Sequence, residues 1–353
     1  VSRRLPLGGD PETYHLLAER MASGRGYVRP FGLAGVAGDV PTAEFPPLFP
    51  ALLAALDLAG IDSPTGQKLA MAVVGAITAV VVGLVGRRVA GATAGLVAAG
   101  IVAVHPVFFE NDAALAAESL YVLVVAGVIL AAFRAMSVAG TVPWAVLGVL
   151  VGAAALVRAE ALAFVPLLVV PAALRPGRDG AWLSRLSRMA AACGAAVVIV
   201  APWTIRNALA VDAFVPVSSN AGTLLAGANC DAVYSGPDTG LWSLDCVFQI
   251  DAPASTEGER NAAYLDAGVD YVTDHLEEVP RVVAVRVLRT WGLFDPAGQT
   301  AWETFESRHR TWHRVGYGVH VAVVVLALAG ALRLRLRRTV TLLPLLSMVV
   351  MVT

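Results

Sequence analysis

Charge is what this 353-residue chain is short of: Asp, Glu, Lys and Arg make up 15% of it, against roughly 25% in an ordinary soluble domain. Too little polar surface is left to cover a water-soluble body of this size. A disordered chain, a nucleic-acid binder and an ordinary cytosolic enzyme are all disfavoured on that ground. Lysine is nearly missing: Lys68 is the only one, and all other fixed positive charge is arginine. The net charge of −1 says little about partners. No HExxH, CxxC pair, Walker loop or nucleophile elbow is present. No internal repeat or low-complexity tract appears, and nothing apolar precedes residue 50 that could serve as a signal peptide. Cysteine is scarce. Cys193 lies in an apolar run, whereas Cys230 and Cys246 lie in a long polar segment, where an oxidising compartment would let them pair; two free thiols are the other reading.

Hydrophobic residues are abundant, at 57%, and the mean hydropathy is +0.69. These values fit a multi-pass membrane protein. Eight stretches span or nearly span a bilayer: about 69–86, 89–109, 118–133, 142–157, 160–174, 189–205, 315–332 and 339–353. The shorter ones require tilt, flanking turns or local thinning. Arginine placement orients them. Every second gap holds Arg87 and Arg88, then Arg134, then Arg175, Arg178, Arg185 and Arg188, then Arg333, Arg335, Arg337 and Arg338. The intervening short gaps hold mostly acids. The arginine-rich side is therefore expected in the cytoplasm, with residues 1–68 and 206–314 outside. This gives a first outer loop with juxtamembrane helices (1–68), a six-helix transmembrane core (69–205), an outer polar segment (206–314) and C-terminal transmembrane helices (315–353). Placing the first loop outside implies a further helix before Val1, and the last stretch reads as truncated.

Within the outer segments, 11–22 has helical spacing with Tyr14, Leu17 and Met21 on one face. Residues 46–58 read as a short interfacial helix opened by prolines. Residues 262–276 suit a helix, and 280–291 start one at Pro280, placing Arg286 and Arg289 on one face, with Trp291 and Phe294 as anchors.

Charges at the outer ends of spans are costly and therefore informative. Asp10, after Gly8-Gly9 and before Pro11, reads as a helix N-cap that can also present a carboxylate oxygen to a substrate. Glu110, Asp112 and Glu118 form an acidic cluster at the mouth of two adjacent spans, either a solvated turn or a proton-transfer group. Arg158 and Glu160 share a short outer turn, as a surface ion pair or as an anion site whose guanidinium fork matches phosphate. Arg206, Arg286 and Arg289 are further outer cations that either snorkel or bind anions. His15 and His105 read as packing residues. No spacing fixes the carboxylates around an ion, so no cofactor is implied and a divalent metal is left open.

The pieces GGDPETYHLLAERMASGRGY (8–27), EFPPLFPALLAAL (44–56), residues 86–124, GAAALVRAEALAFVPLL (152–168), APWTIRN (201–207) and PRVVAVRVLRTWGLF (280–294) stand in this order along the chain. Together they resemble the polytopic GT-C type glycosyltransferases, in the protein mannosyltransferase-like and aminoarabinose-transferase-like branch. The stretch 229–246 looks like an outer-loop signature of actinobacterial members.

The resemblance implies an all-α GT-C-like transmembrane bundle in the cell membrane that moves a sugar, with inversion, from a polyprenyl-phosphate donor to an acceptor hydroxyl at the extracytoplasmic face. The acceptor is a protein, lipid or glycan. Asp10 matches the aspartate taken as catalytic base, and Tyr14 an aromatic near the lipid phosphate. Glu110 or Asp112 matches an acidic residue near the acceptor, Glu118 the acid opening the next span, and Arg158 a basic residue at a span end. Phe45 stands where some branches carry a basic residue before Pro-Pro, so donor-phosphate binding falls to other arginines, Arg158 and Arg206 foremost, with Arg286 and Arg289 beside them. The alternative class is a lipid or sugar transporter or flippase, for which mid-span charge and broken helices in matching halves would speak; charges here crowd one face instead.

Overall fold

A computed structural model describes residues 7–31, 39–175, 182–211, 213–252, 256–303, 308–335 and 343–352. Arg178, Arg337 and Arg338, used above for orientation, lie outside them. Among the described residues the chain is helical throughout, with one isolated bridge, Val28 to Pro41, and no strand. It is an all-α polytopic membrane protein.

Two helices come first, α1 (Asp10–Ala22) and α2 (Leu48–Leu58), close to the expected ranges. Next is α3 (Pro64–Ala90), capped by the Ser63 side chain, and then α4 (Ala92–Val104) and α5 (Pro106–Ala114). The single span expected over 89–109 is instead a pair bent by 47° between α4 and α5. The cause is local. Proline disfavours helical geometry in the residue before it, so His105 becomes extended and caps α5 by accepting from Val107 N. Leu115, buried and left-handed at φ 63°, then turns the chain into α6 (Glu118–Ser137).

The helix α7 (Val142–Ala155) and the following apolar stretch 159–173 are shorter than a full span; the latter mixes 3₁₀, π and α turns around Pro166 and Pro171. Then come α8 (Trp182–Ala210), α9 (Ala221–Ala228), α10 (Glu257–Asp274), α11 (Val279–Thr290), α12 (Arg310–Arg335) and α13 (Leu343–Val352), with short turns of helix between. Among the described residues four helices are long and apolar enough to cross a bilayer: α3, α6, α8 and α12. The bent pair makes a fifth.

Small residues let the spans approach. A Cβ built on Gly148 of α7 would lie 2.0 Å from the Ala192 carbonyl oxygen of α8, the kind of backbone proximity that drives helix association where lipid removes the hydrophobic incentive. A second cluster, with Tyr14, Phe49, Leu53, Met71, Leu115 and Val157, seats α1 and α2 on one end of the bundle. Leu48 N donates to Leu156 O (2.8 Å) across the same junction.

Candidate active site

The end of the bundle carrying α1 and α2 gathers most of the predicted residues. The cap reading of Asp10 needs correcting. Gly9, at φ 62°, is the N-cap, and Asp10 is the first residue of α1, exposed in the helix's first turn, where the dipole favours a carboxylate. One turn on, Tyr14 is buried between Phe45 and Phe49, ring centroids 5.0 and 5.1 Å away, both edge-on. Burial, then the charges of Asp10 and Glu118, push its hydroxyl well above its ordinary value, against the pull of Arg158. Tyr14 therefore stays a protonated donor, with these three charged groups as its electrostatic neighbours.

Glu118 and Arg158 meet directly. Arg158 Nη1 donates to Glu118 Oε1 (2.7 Å) and its Nε to Glu160 Oε1 (2.6 Å), while the guanidinium lies 5.9 Å from the Tyr121 ring centroid. Burial opposes the Arg158 charge, but the two carboxylates outweigh it and hold the residue firmly protonated. Arg308, just before α12, stands 3.9 Å from the same Glu118 oxygen.

The expected acidic cluster is divided three ways. Glu118 faces Arg158. Glu110, buried, accepts from His309 N (3.1 Å) and lies 3.8 Å from His313 Nδ1 of α12. Asp112 turns toward α3, where a Cβ on Gly75 would sit 2.2 Å from its Oδ2. The stretch between residues 110 and 118 thus positions three carboxylates against three different neighbours: α12, α3 and the turn that follows α7.

Glu44 was not singled out by the sequence. It is half-buried, 3.3 Å from Arg29, and Asp10 is among the charges acting on it. Burial, chiefly, raises its carboxyl above the ordinary value; Arg29 opposes this, and Glu257 and Asp10 add to it. Its place directly before Phe45-Pro46-Pro47, in one of the motif pieces, was the available signal.

Arg206 does not present a free fork. Its Nη1 and Nη2 donate to the carbonyls of Thr42 and Tyr27, and its guanidinium lies 4.8 Å from the Trp203 ring. Trp203 Nε1 donates to Val217 O (2.6 Å), and Asn207 Nδ2 to Val215 O (3.1 Å). The PWTIRN run is thus a fastening between α8, the first loop and the outer segment. Glu257 is its companion, missed by the sequence reading: it accepts from Thr42 Oγ1 (2.7 Å), Ala43 N (2.8 Å), Ser219 Oγ (2.6 Å) and Arg29 Nη2 (3.1 Å).

Arg286 and Arg289 lie elsewhere, on the wall of a cavity of about 600 Å³ between the outer segment and α12. Cys230 and Cys246, in the same outer segment, are joined in a disulfide. His15 bonds Gln67 (2.9 Å), which reaches Asp57 (2.6 Å), a packing role as expected. Among the described residues no three His, Cys, Asp or Glu side chains group as metal ligands.

Fold and site together define a polytopic helical membrane protein with its charged chemistry collected at one end of the bundle. Residues 44–205, a little under half of the chain, match the family described as dolichyl-phosphate-mannose-protein mannosyltransferase. That match supports a membrane glycosyltransferase of GT-C type. No curated protein and no solved structure matches the chain.

Proposed function

We propose that the chain is an inverting glycosyltransferase taking its sugar from a polyprenyl-phosphate donor at the extracytoplasmic face. The observation that carries this reading is the convergence of Asp10, Tyr14, Glu118 and Arg158 beside the bundle end. The donor's tail lies among the helices, and its sugar reaches the exposed Asp10. Asp10 takes the proton of the acceptor hydroxyl as that oxygen bonds the anomeric carbon from the face opposite the leaving group. The bond from the anomeric carbon to the phosphate oxygen breaks, and its electron pair leaves with the lipid phosphate.

Arg158, with Arg308 on the other side of Glu118, meets that growing charge; Glu160, the more exposed of the two Arg158 partners, gives way. Tyr14, kept protonated, donates to the same anion. Glu110, Asp112 and Glu118 hold the surrounding helices and, through Glu118, the cation.

General-base help is worth about 10²–10⁴-fold. Asp10→Asn is therefore expected to lower transfer from a synthetic polyprenyl-phosphate sugar by that factor, with membrane insertion unchanged. Near-normal turnover in that variant would remove Asp10 from the role. Comparison of polyprenyl-phosphate sugars and envelope glycans with and without the gene would then name donor and acceptor.

A further inference from the structure

The cavity beside α12 shares no lining residue with the Asp10 group, and its chemistry is of one sign. Arg286 and Arg289 of α11 form one wall. His313, Tyr317 and His320 form another, spaced four and three residues apart on one face of α12, so that the wall runs down roughly 10 Å of helix. Trp242 stands beside them. No carboxylate is among the lining residues described.

Arg289 is built in: its side chain is 4% exposed, its Nε donates to Thr239 O (2.7 Å) and its Nη2 to Pro237 O (2.6 Å). Among the described residues its Nη1 makes no hydrogen bond, and the nearest carboxylate oxygen, on Asp295, is 4.0 Å away. Arg286 Nη2 donates to Ala228 O, and its Nε makes no hydrogen bond among the described residues. Buried guanidinium N–H groups without acceptors are costly. The cavity brings both guanidinium groups together with His313 and His320, so an anion there would meet positive charge from two helices, with Trp242 and Tyr317 beside it for a sugar ring.

We propose that this cavity is the acceptor site, and that it recognises the acceptor by an anionic group, a phosphate or a carboxylate, carried on a sugar. The proposal rests on the glycosyltransferase reading above. It takes Arg286 and Arg289 away from the donor phosphate, which must lie at the carbon under attack and hence beside Asp10 and Arg158. The two sites meet along α12. Arg308, just ahead of it, reaches Glu118, while His313, five residues on, faces Glu110 on one side and the cavity on the other. An acceptor held by its anion in the cavity would extend a hydroxyl past this shared edge toward Asp10.

Calorimetric titration of the full chain in nanodiscs tests this, with glucose 1-phosphate, glucuronate and undecaprenyl phosphate as probes. Glucose 1-phosphate or glucuronate is expected to bind saturably, at least tenfold more weakly in Arg289→Gln and in His320→Leu, and unchanged in Asp10→Asn. His320→Leu leaves the Arg289 contacts to the 237–239 carbonyls in place, so a loss there reads the ligand and not the fold. Binding of undecaprenyl phosphate alone, weakened by the same variants, would assign the cavity to the donor and overturn the proposal. So would the absence of binding by every anion. Because Asp10→Asn is read by transfer and the cavity by titration, failure of either leaves the other measurable.

Discussion

At the scale of single residues, a charge was visible in the sequence wherever it stood against an apolar background. Asp10 opens a helix, and Glu118 and Arg158 flank spans, so each is conspicuous; all three meet around Tyr14. Glu44, Arg29 and Glu257 escaped notice because they lie in polar segments, where charges are ordinary, and because their partnership joins positions more than 200 residues apart. Arg206 misled for the complementary reason. Its partners are main-chain carbonyls of Tyr27 and Thr42, which no side-chain pattern announces.

Glu44 gives a prediction with a definite sign. Burial raises its carboxyl in the folded state, so the folded chain binds a proton more tightly there than the unfolded one. Below the ordinary carboxylate value of about 4.3 both forms are protonated and folding bears no penalty. As pH climbs through the raised value, the folded carboxylate must ionise in its buried site, and stability falls. Glu44→Gln should flatten that decline. Melting temperatures of the purified protein between pH 4 and 7.5 should converge at the acid end and favour the variant at the neutral end; a variant that is less stable at pH 7 than at pH 4, relative to the parent, contradicts the sign.

At the scale of elements, most helices were legible from periodicity and length, and their breaks were not. Residues 89–109 read as one apolar run, yet Pro106 splits it, and α5 emerges with its acids pointing to different neighbours. The stretch 160–174 read as a span, and two prolines inside it leave mixed helical turns over 159–173 instead. Hydropathy reports how apolar a run is; it does not report where a missing N–H redirects it.

The contact between α3 and α5 is testable at Gly75. With Asp112 Oδ2 2.2 Å from where a Cβ would stand, Gly75→Val must displace the carboxylate, and overpacking of this kind costs on the order of 1–3 kcal/mol. Gly100→Val on α4 is the matched control, since nothing lies within 4 Å of its Cβ. The first should melt measurably lower than the parent and the second should not.

At the scale of the whole molecule, alternate ends of the spans separate two kinds of polar group. Arg87, Arg88, Arg134 and Arg175 lie at the end away from Asp10, where Arg88 bonds Ser137. The other end carries the acids, α1, α2 and the outer segment. That segment does more than cover the bundle, because it grips the first loop through Glu257. Its side chain and that of Arg29 are about a tenth exposed or less. Removing Glu257 leaves Arg29 with Glu44 alone and takes the acceptor from Thr42 Oγ1, Ala43 N and Ser219 Oγ, and a buried donor left without its acceptor costs about 1–3 kcal/mol. Glu257→Ala should therefore lower the melting temperature sharply, and limited proteolysis should newly cut near residue 43. Glu257→Gln, which keeps two acceptor or donor positions, should lose less.

This double fastening, Glu257 from one side and Arg206 from the other, also bears on engineering. Tyr27, Arg29, Thr42 and Ala43 are held by Arg206 of α8 and by Glu257 beyond it. A chimera that grafts a relative's segment beyond α8 would cost Arg29, Thr42 and Ala43 their shared partner unless the first loop travels with it. The two are thus exchangeable only as one cassette.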